Sequence, residues 1–554
     1  MENQKPIYET ITNSERGLIT FIVMTGAFMA ILDTTIVDVV VPKMMGPLQT
    51  DLYGVQWVIT AYMIASAVML ILSEWLDKVI GLRRVFIAGI VVFTVSSFFC
   101  GQAQDIQMMI ISRVFQGIGE ALIMATSQTI LFSVYPEEKK GIAMGIFGLG
   151  VSFAPALGPT LGGYITEFLN WRWVFYINLP VGIITTVLAV FYLPETSLVR
   201  EKAKLNFISY SFLSIFTISL LILLSKGQQL DWFSSDYIFY LSLVSVFSLL
   251  LYILSEILSR EPLIDFKIFL IKEYFVGFFV FFLLLGFSMY QVFYLLPLYY
   301  ENLKGLSTFD AGMHILAFAL FIAVFSPVAG ILSDRWNEKY VLYIATILYL
   351  FTALFIIPNL DYYTPNARAA IMTIPLGISM GMFFAPVTTI ALRKLRSKTS
   401  LGTGLMHYGR FVGGSFGTAI ATNDLYRHQW EHFEGINSIQ NVSYLQQFLE
   451  KIKGSVVGIP EHLVELKAQA LLYSVQYLHS LNFSFQDTFF IAGLFGLVGA
   501  LPIIYMWLSD VFSREKRKRY NIPITFKKEK CNEHTNHRGS RLYRKPHSET
   551  TYRE

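Results

Sequence analysis

The sequence predicts an all-α polytopic membrane protein, and three observations carry this prediction. Of the 554 residues, 54% are hydrophobic and 15% aromatic, above the usual share in soluble domains. Apolar runs of roughly 18–25 residues recur along the whole chain, which is the length that a helix needs to cross the hydrocarbon core. These runs are too long and too uniformly apolar for barrel strands, whereas a helix satisfies every backbone group within its own segment.

Fourteen apolar runs are long enough to be membrane spans, and we number them in chain order. They lie near residues 17–41, 55–73, 84–102, 106–132, 139–165, 173–193, 206–226, 236–257, 273–299, 308–332, 338–357, 367–391, 401–423 and 486–508.

Lysine and arginine are concentrated in the loops on one side of the predicted membrane. Every loop from an even-numbered span to the next odd-numbered span is basic, whereas each short loop of the other kind carries one basic residue or none. Because cytoplasmic loops carry the excess of Lys and Arg, we expect this side and both termini in the cytoplasm.

Several functional classes find no support in the sequence. There is no P-loop G-x-x-x-x-G-K-[ST] and no H-E-x-x-H, so the sequence contains no motif for ATP hydrolysis or zinc-dependent hydrolysis. Cys100 lies in an apolar run and Cys531 near the C-terminus, and neither a disulfide framework nor a thiolate metal site is plausible. We therefore expect a protein that is not an enzyme and has no cofactor. The polar first 16 residues and the long first run do not resemble a cleavable signal peptide.

Charged residues interrupt spans 1 and 4. Asp33 and Asp38 lie in the segment FMAILDTTIVDVVVP (28–42), and a charge at mid-membrane costs about 2.5–3.5 kcal/mol on insertion scales. Arg113 and Glu120 in span 4 are seven residues apart, two turns along nearly the same helix face. Such groups pair with a partner, face an aqueous cavity or carry a proton, and the residues alone leave these alternatives open.

An internal repeat organises the chain. The loop SEWLDKVIGLRRVF after span 2 is similar to SPVAGILSDRWNEKY after span 10, which aligns spans 1–6 with spans 9–14 and leaves spans 7 and 8 as an insertion. Spans 5 and 13, which then correspond, are both rich in glycine. The expected parts are a cytoplasmic N-terminus (1–16), an N-terminal six-helix half (17–193), the inserted helices with linkers (194–272), a C-terminal half (273–510) and a basic cytoplasmic tail (511–554).

Two long polar segments are expected outside the membrane. Residues 424–485 would form an outer loop with apolar residues at helical spacing, which predicts short helices on the membrane surface or against a partner, or else a simple connector. The tail at 511–554 is rich in Lys and Arg, which favours attraction to anionic lipid rather than nucleic-acid binding.

Four motifs together resemble the major facilitator superfamily, and within it the fourteen-helix drug:proton antiporters of the EmrB and QacA type. They are LDTTIVDVVVP (32–42), RVFQGIGEA (113–121), GLGVSFAPALGPTLGG (148–163) and WRWVFYINLPVG (171–182). Asp38 and Val40 stand where this branch usually has Asn and Ala. The resemblance covers roughly residues 15–510, and it implies the major facilitator fold, with two six-helix halves, two inserted helices and a site between the halves.

The resemblance also implies residues that control the conformational change. In span 5, glycines let a neighbouring helix approach and prolines bend the helix, which builds a pivot between the halves. The second basic-loop motif is well kept, whereas in the first we expect Glu74 at the usual Gly and Lys78 at the usual Asp, and hence a weaker latch. The expected residues are Gly148, Pro155, Gly158, Pro159, Gly162, Gly163, Gly330, Asp334 and Arg335.

Asp33, Arg113 and Glu120 are the expected proton-coupling residues. The resemblance implies that Asp33 faces the central cavity, where a proton and a cationic substrate would compete for its carboxylate, and that Arg113 controls the charge of a nearby acid. Glu120 replaces a small residue of the family and is a second protonation site or a cation selector. The alternatives are a structural acid and a structural ion pair, and for Asp38 a solvated position near the outer mouth.

Further residues are expected to line the substrate cavity together with Asp33. Tyr290 and Tyr294 are one helical turn apart, which suits cation–π contacts, although aromatic pairs also arise by chance in so aromatic a chain. Arg410 in span 13 needs a buried partner. Histidines such as His314 and His407 are more often packed in the protein interior than used to bind a ligand. The expected cavity residues are Tyr290, Gln291, Tyr294, His407 and Arg410.

These expectations favour proton-coupled antiport of amphipathic, often cationic, toxic compounds across the inner (cytoplasmic) membrane. A dedicated exporter of one metabolite or siderophore, an importer or facilitator, and a non-transporting receptor are the alternatives. The length of residues 424–485 favours a Gram-negative assembly with an EmrA/TolC-like periplasmic adaptor and outer-membrane channel.

Overall fold

The computed structural model describes residues 7–195, 204–395, 398–439 and 461–519, together with positions 447, 450 and 451. The chain forms two compact units, Met1–Met506 and Trp507–Glu554. The first unit contains the helical bundle, and the described part of the second is the end of the last helix. Most of the predicted basic tail at 511–554 lies outside the described residues.

Fourteen long helices follow one another in the described residues, and no strand occurs among them. In the first half of the chain they are α1 (Asn13–Met44), α2 (Trp57–Ile71), α3 (Leu82–Gln102), α4 (Ile106–Val134), α5 (Lys140–Phe168), α6 (Asn178–Tyr192), α7 (Phe207–Lys226) and α8 (Asp236–Leu258). The second half contains α9 (Lys272–Leu303), α10 (Thr308–Arg335), α11 (Glu338–Phe355), α12 (Ile374–Leu392), α13 (Thr399–Ile439) and α14 (Glu461–Arg519). Five shorter α-helices are Ile7–Thr10, Leu52–Val55, Ser73–Ile80, Trp173–Tyr176 and Asn366–Met372.

The number of helices that can cross a membrane is close to the predicted fourteen. By length and composition, the described residues contain twelve such helices, or thirteen if the bent pair Glu137–Pro155 and Leu157–Phe168 is one span. Helix α13, which contains the predicted span 401–423, does not count among them. Its glycines and its polar and charged side chains lower its hydropathy.

Local sequence signals explain where several helices begin. Thr12 and Glu15 form a reciprocal capping box at the start of α1, with the Thr12 backbone N–H donating to Glu15 at 2.8 Å. Asp105 accepts from the backbone N–H of Met108 at 2.8 Å and so caps α4. Gly81, at φ 93°, separates the short helix Ser73–Ile80 from α3, a conformation that glycine adopts without strain.

The predicted outer loop 424–485 is largely helical rather than a chain of short helices. Helix α13 continues to Ile439, and α14 begins at Glu461, so the two helices extend past their predicted spans. The extensions pack together, since Nε2 of His432 lies 2.6 Å from Oδ2 of Asp487, and Ser484 donates to the carbonyl of Leu425. For residues 424–439 and 461–485 the expectation of separate short helices was wrong, because the helical pattern continues through the polar residues that mark the predicted span ends. Apart from positions 447, 450 and 451, the part of this loop between 440 and 460 lies outside the described residues.

Helix packing brings the two predicted halves together. Helix α5 lies along α10, and α13 packs against α2 and α4. The inserted helices α7 and α8 pack on each other, and α7 also contacts both halves. The hydroxyls of Thr60 on α2 and Ser225 on α7 are 2.9 Å apart, and those of Thr217 on α7 and Tyr408 on α13 are 2.8 Å apart. The insertion therefore lies beside the interface between α2 and α13.

Candidate functional site

A buried ion pair joins the first and fourth helices. Nη1 of Arg113 on α4 lies 2.6 Å from Oδ2 of Asp33 on α1, and both side chains are fully buried. Nε of Arg113 also donates to the carbonyl of Val58 at 2.9 Å. Because an unpaired guanidinium is not tolerated at this depth, the pairing explains how Arg113 can occupy the interior of a membrane helix.

Amide side chains complete the surroundings of the Asp33 carboxylate. Gln116 and Asn178 donate to Oδ1 of Asp33 at 3.0 and 2.6 Å, and both also contact the hydroxyl of Ser97. All of these groups lie within the N-terminal half, on α1, α3, α4 and α6. Asp33 was expected to face the central cavity, but its side chain is enclosed by these partners. Its carboxylate is already satisfied in this conformation and has no exposed surface.

The Arg113 guanidinium also lies on an aromatic ring. Its central carbon is 3.9 Å from the centroid of the Tyr62 ring, which is within cation–π range. The Tyr62 hydroxyl donates to the carbonyl of Ala30 at 3.2 Å. Within the described part of the chain, Nη2 of Arg113 has no hydrogen-bond partner. Arg113 is thus held on one side by Asp33 and retains one donor for a second acceptor.

Glu120 lies at the midpoint of α4, two turns from Arg113 on nearly the same helix face. Its side chain is buried, and its carboxylate interacts electrostatically with Arg410 of the opposite half and with Arg113 of its own half. Oε2 of Glu120 has no hydrogen-bond partner. Asp33, Arg113, Glu120 and Arg410 therefore form a series of alternating charges that leads from within the N-terminal half to the interface.

The C-terminal half contributes polar groups to the same region. Arg410 and His407 on α13 are buried, and Nε of Arg410 and both ring nitrogens of His407 have no hydrogen-bond partner. The His407 ring lies 6.1 Å from the ring of Phe147 on α5. Gln291 on α9 is buried, and neither amide atom has a partner. Buried polar atoms without partners are unusual, and here they mark a place that can hydrogen-bond to a bound molecule.

The remaining predicted cavity residues lie on α9. Tyr290 is half-buried beside Phe293, with ring centroids 6.1 Å apart. The Tyr294 hydroxyl accepts from Thr422 on α13 at 3.0 Å. The two tyrosines thus lie at the contact between α9 and α13. His314 stacks on Tyr300 at 5.5 Å and bonds its own helix through Asp310 at 2.8 Å, as a packed histidine does. The side chain of Asp38 lies outside the described residues.

Asp334 connects the halves at the end of the bundle that carries the basic loops, which we call the basic end. Its two carboxylate oxygens accept from the backbone N–H groups of Gly141 and Ile142 at 2.7 and 2.8 Å. These N–H groups are in the first turn of α5, where no helical acceptor is available and the helix dipole attracts an anion. Asp334 therefore caps a helix of the other half, whereas the neighbouring Arg335 is exposed.

Asp77 occupies the matching position in the N-terminal half. Its carboxyl bonds to Ser400, in the first turn of α13, and Ser73 faces Gly404 on the same helix. Ser73 precedes Asp77 by four residues, as Gly330 precedes Asp334. The expected alignment, with Lys78 at the aspartate position, was therefore wrong by one residue, and Ser73 rather than Glu74 replaces the glycine. Lys78 instead pairs with Glu74 on its own helix at 2.7 Å.

The glycines and prolines of α5 shape the contact between the halves. A Cβ on Gly148 would lie 2.6 Å from the Ser326 hydroxyl of α10, and one on Gly163 would lie 2.8 Å from Cα of Phe309. Gly158 faces Thr35 on α1. The helix bends by 41° between Pro155 and Leu157, where Pro159 cannot donate to the carbonyl four residues earlier. Pro155 is half-buried, and both Pro159 and Gly162 are buried in the same segment.

Sequence reasoning missed four residues around the ion pair. Gln116 and Asn178 lie within quoted motifs, RVFQGIGEA and WRWVFYINLPVG, and their position among apolar neighbours was an available signal. Ser97 and Tyr62 lie in ordinary apolar runs, where a single hydroxyl forms no sequence pattern that marks a functional residue. Their role depends on which helices pack together, and the sequence does not show this.

A bundle of membrane-length helices in two contacting halves, with a series of charges buried inside it, is typical of a multi-pass membrane transporter. The chain belongs to the major facilitator superfamily, because the model of the Major Facilitator Superfamily matches residues 23–418.

Named relatives agree with this assignment. The Multidrug export protein EmrB of Escherichia coli K12 is 28% identical over 454 residues, which cover 81% of this chain and 86% of that protein. The Fatty acid resistance protein FarB of Neisseria gonorrhoeae is 26% identical, over 80% of this chain and 86% of that protein. Among solved structures, the human organic anion transporter MFSD10 is similar with a TM-score of 0.56 and 13% identity, covering 88% of this chain and 99% of that chain. This last likeness shows the fold alone.

Proposed function

We propose that the protein is a proton-coupled antiporter that exports amphipathic toxic compounds across the inner membrane by alternating access. The observation that carries the proposal is the fully buried pair of Asp33 and Arg113, whose groups lie 2.6 Å apart at membrane depth. Intramembrane ionisable groups of this kind mark proton relays and substrate pathways. The similarity to the multidrug export protein EmrB supports export of drugs as the direction and substrate class.

Proton binding to Asp33 would change the partner of Arg113. A neutral Asp33 no longer balances the guanidinium, and a buried charge without a partner is strongly destabilising. Glu120 is the nearest alternative, because it already interacts with Arg113 and lies on nearly the same face of α4. In this mechanism, protonation of Asp33 shifts the pairing of Arg113 from Asp33 towards Glu120. This shift changes the interface between α4 and α13. The proton and the substrate then act on different carboxylates, which differs from direct competition at Asp33.

The capped helix ends at the basic end would control access. Asp334 and Asp77 each hold the first turn of a helix in the opposite half. With the basic loops and both termini in the cytoplasm, these contacts close the cytoplasmic side. Breaking them during the transport cycle would open the site to substrate from the cytoplasm.

Dye efflux from everted membrane vesicles tests the proposal. A proton gradient should drive dye into the vesicles, and an uncoupler should abolish the uptake. Transport that persists undiminished in the presence of the uncoupler would contradict proton coupling. Gradient-driven movement in the opposite direction would favour the importer alternative.

We further propose that the helical extensions of α13 and α14 contact a periplasmic adaptor that leads to an outer-membrane channel. The two extensions are joined by the pair His432 and Asp487 at 2.6 Å, and they carry exposed Trp430 and Tyr426. Co-purification of an adaptor that depends on these extensions would support the assembly. Efflux from intact cells that is unchanged after deletion of residues 435–475 would count against it.

A dedicated exporter is the second candidate. FarB is named for fatty acid resistance, and Arg410 supplies a buried positive charge at the interface that a carboxylate could bind. Efflux measured with a panel of single-charge and dipolar substrates separates this candidate from a broad exporter, because a dedicated exporter should transport only one class of them.

A further inference from the structure

Two opposite charges, on helices of opposite halves, interact electrostatically inside the bundle. Glu120 lies at the midpoint of α4, and Arg410 lies on α13. The residues that follow them, Ala121 and Phe411, belong to one buried apolar cluster, so α4 and α13 are in contact at this level. The relative exposures of Glu120 and Arg410 are 1% and 3%.

These two charges are less fully paired than the charges beside them. Asp33 and Arg113 neutralise each other in a direct bond of 2.6 Å. Glu120 and Arg410 attract each other, yet among the residues that the structure describes Oε2 of Glu120 and Nε of Arg410 have no hydrogen-bond partner. Both residues therefore retain hydrogen-bonding capacity in a place from which water is largely excluded.

The charge balance of this place restricts what it can bind. A simple cation would pair with Glu120 and take it from Arg410, which would leave a buried guanidinium without a counter-charge. A simple anion would pair with Arg410 and leave Glu120 as a buried carboxylate without a counter-charge. A molecule with both charges can satisfy both residues and keeps the site neutral. The unpartnered nitrogens of His407 and the neighbouring ring of Phe147 suit the polar and aromatic parts of such a molecule.

We propose that Glu120 and Arg410 form a dipolar binding site that selects amphipathic zwitterions over amphipathic cations of the same shape. This inference rests on the proposed export function and assigns its substrate class. The positive group of the substrate binds Glu120, and its carboxylate binds Arg410. The selectivity differs from the cationic preference that the sequence suggested, because Asp33 is enclosed and Arg410 is present.

Equilibrium binding to the purified full-length protein in lipid nanodiscs tests the site without any gradient. The probes are rhodamine B, a zwitterion at neutral pH, and its ethyl ester, a cation with the same ring system. Fluorescence anisotropy should show rhodamine B bound about tenfold more tightly, as expected for one additional charge-assisted hydrogen bond. Arg410→Gln should remove this preference. Rhodamine B loses the partner of its carboxylate and should bind about tenfold more weakly, whereas the ester no longer leaves a guanidinium without a counter-charge and should bind at least as tightly as before. Glu120→Gln should weaken both probes.

Arg427→Gln is the matched control, because Arg427 lies on the same helix but forms an exposed pair with Glu431 at 2.8 Å. It should bind both probes as the unmodified protein does. If Arg410→Gln does not fold, Arg410→Lys replaces it and should keep the preference, since the charge remains.

An ester that binds as tightly as rhodamine B to the unmodified protein would overturn the proposal. So would an Arg410→Gln variant that weakens both probes equally, or an Arg410→Lys variant that loses the preference. A clear preference without uncoupler-sensitive efflux would support the dipolar site and would refute the proposed function alone. The two failures are therefore distinguishable.

Discussion

Asp334 and Gly141 are bonded across the two halves, with Oδ1 of the aspartate accepting from the backbone N–H at 2.7 Å. Asp77 bonds to the side chain of Ser400 at the corresponding place on the other side of the bundle. The two contacts follow the internal repeat. Asp334, in the last turn of α10, and Asp77, in the short helix after α2, each lie at the first turn of the fifth helix of the opposite half. The basic end of the bundle is therefore closed by two related caps.

Asp334→Asn should weaken this closure. The amide offers one oxygen where the carboxylate offers two, so one of the two backbone N–H groups of α5 loses its acceptor, which costs on the order of 0.5–2 kcal/mol. The fraction of molecules open at the basic end should rise. Spin labels at Arg84 and Tyr340, both exposed on opposite halves, would report this as a longer distance in a background without the native cysteines. An unchanged distance distribution would show that the cap does not control opening.

The Asp77 cap should depend on pH. Burial, with repulsion from Glu74, raises the pKa of Asp77 from 3.8 to about 6 in the closed state. Because the raised pKa belongs to the closed state, protonation favours closure. Its contribution is fully present below about pH 4 and is lost as the pH rises through about 6. The same spin labels should show more of the closed state at pH 5 than at pH 7.

Asp77→Asn is the control for this dependence, since the amide does not titrate. The variant should show the same distance distribution at both pH values. A pH response of unchanged size in Asp77→Asn would assign the effect to another group.

Gly330→Ala should separate α10 from α5. A Cβ at this position would lie 2.5 Å from the carbonyl oxygen of Gly141, which is backbone and cannot rotate away. Overpacking of this kind costs about 1–3 kcal/mol, so the melting temperature and the transport rate should both fall. Gly17→Ala is the matched control, because no atom lies within 4 Å of the added carbon. Equal thermal stability of the two variants would argue against a close contact at Gly330.

The sequence predicted the parts of the fold that depend on local patterns. The helices follow from the length of apolar runs, and the pairing of Arg113 follows from the cost of a guanidinium in lipid. The partners Asn178 and Ser97 could not be predicted, because they depend on the packing of α6 and α3 against α1. For the same reason the sequence suggested that Asp33 faces the cavity, whereas Arg113, Gln116 and Asn178 enclose it.

The alignment of the first basic-loop motif and the lengths of α13 and α14 were also beyond what the sequence could predict. The expected alignment of the first basic-loop motif was shifted by one residue and placed Lys78 at the aspartate position. Lys78 and Asp77 are adjacent, and only the contact with Ser400 identifies Asp77 as the equivalent of Asp334. The extent of α13 and α14 beyond the membrane could not be read from hydropathy, since a helix exposed to water lacks a continuous apolar run. The roles of Glu120 and Arg410 depend on an interface between halves that are distant in sequence.

Substrate transport by the Asp33→Asn variant in proteoliposomes tests the central claim most directly. Asparagine has nearly the same shape but does not titrate, so the variant should lose uptake driven by a pH gradient while it retains substrate exchange without a gradient. Asp231→Asn is the control, because Asp231 is exposed and its φ of 54° suits asparagine. Gradient-driven uptake at the unmodified rate in Asp33→Asn would contradict the account.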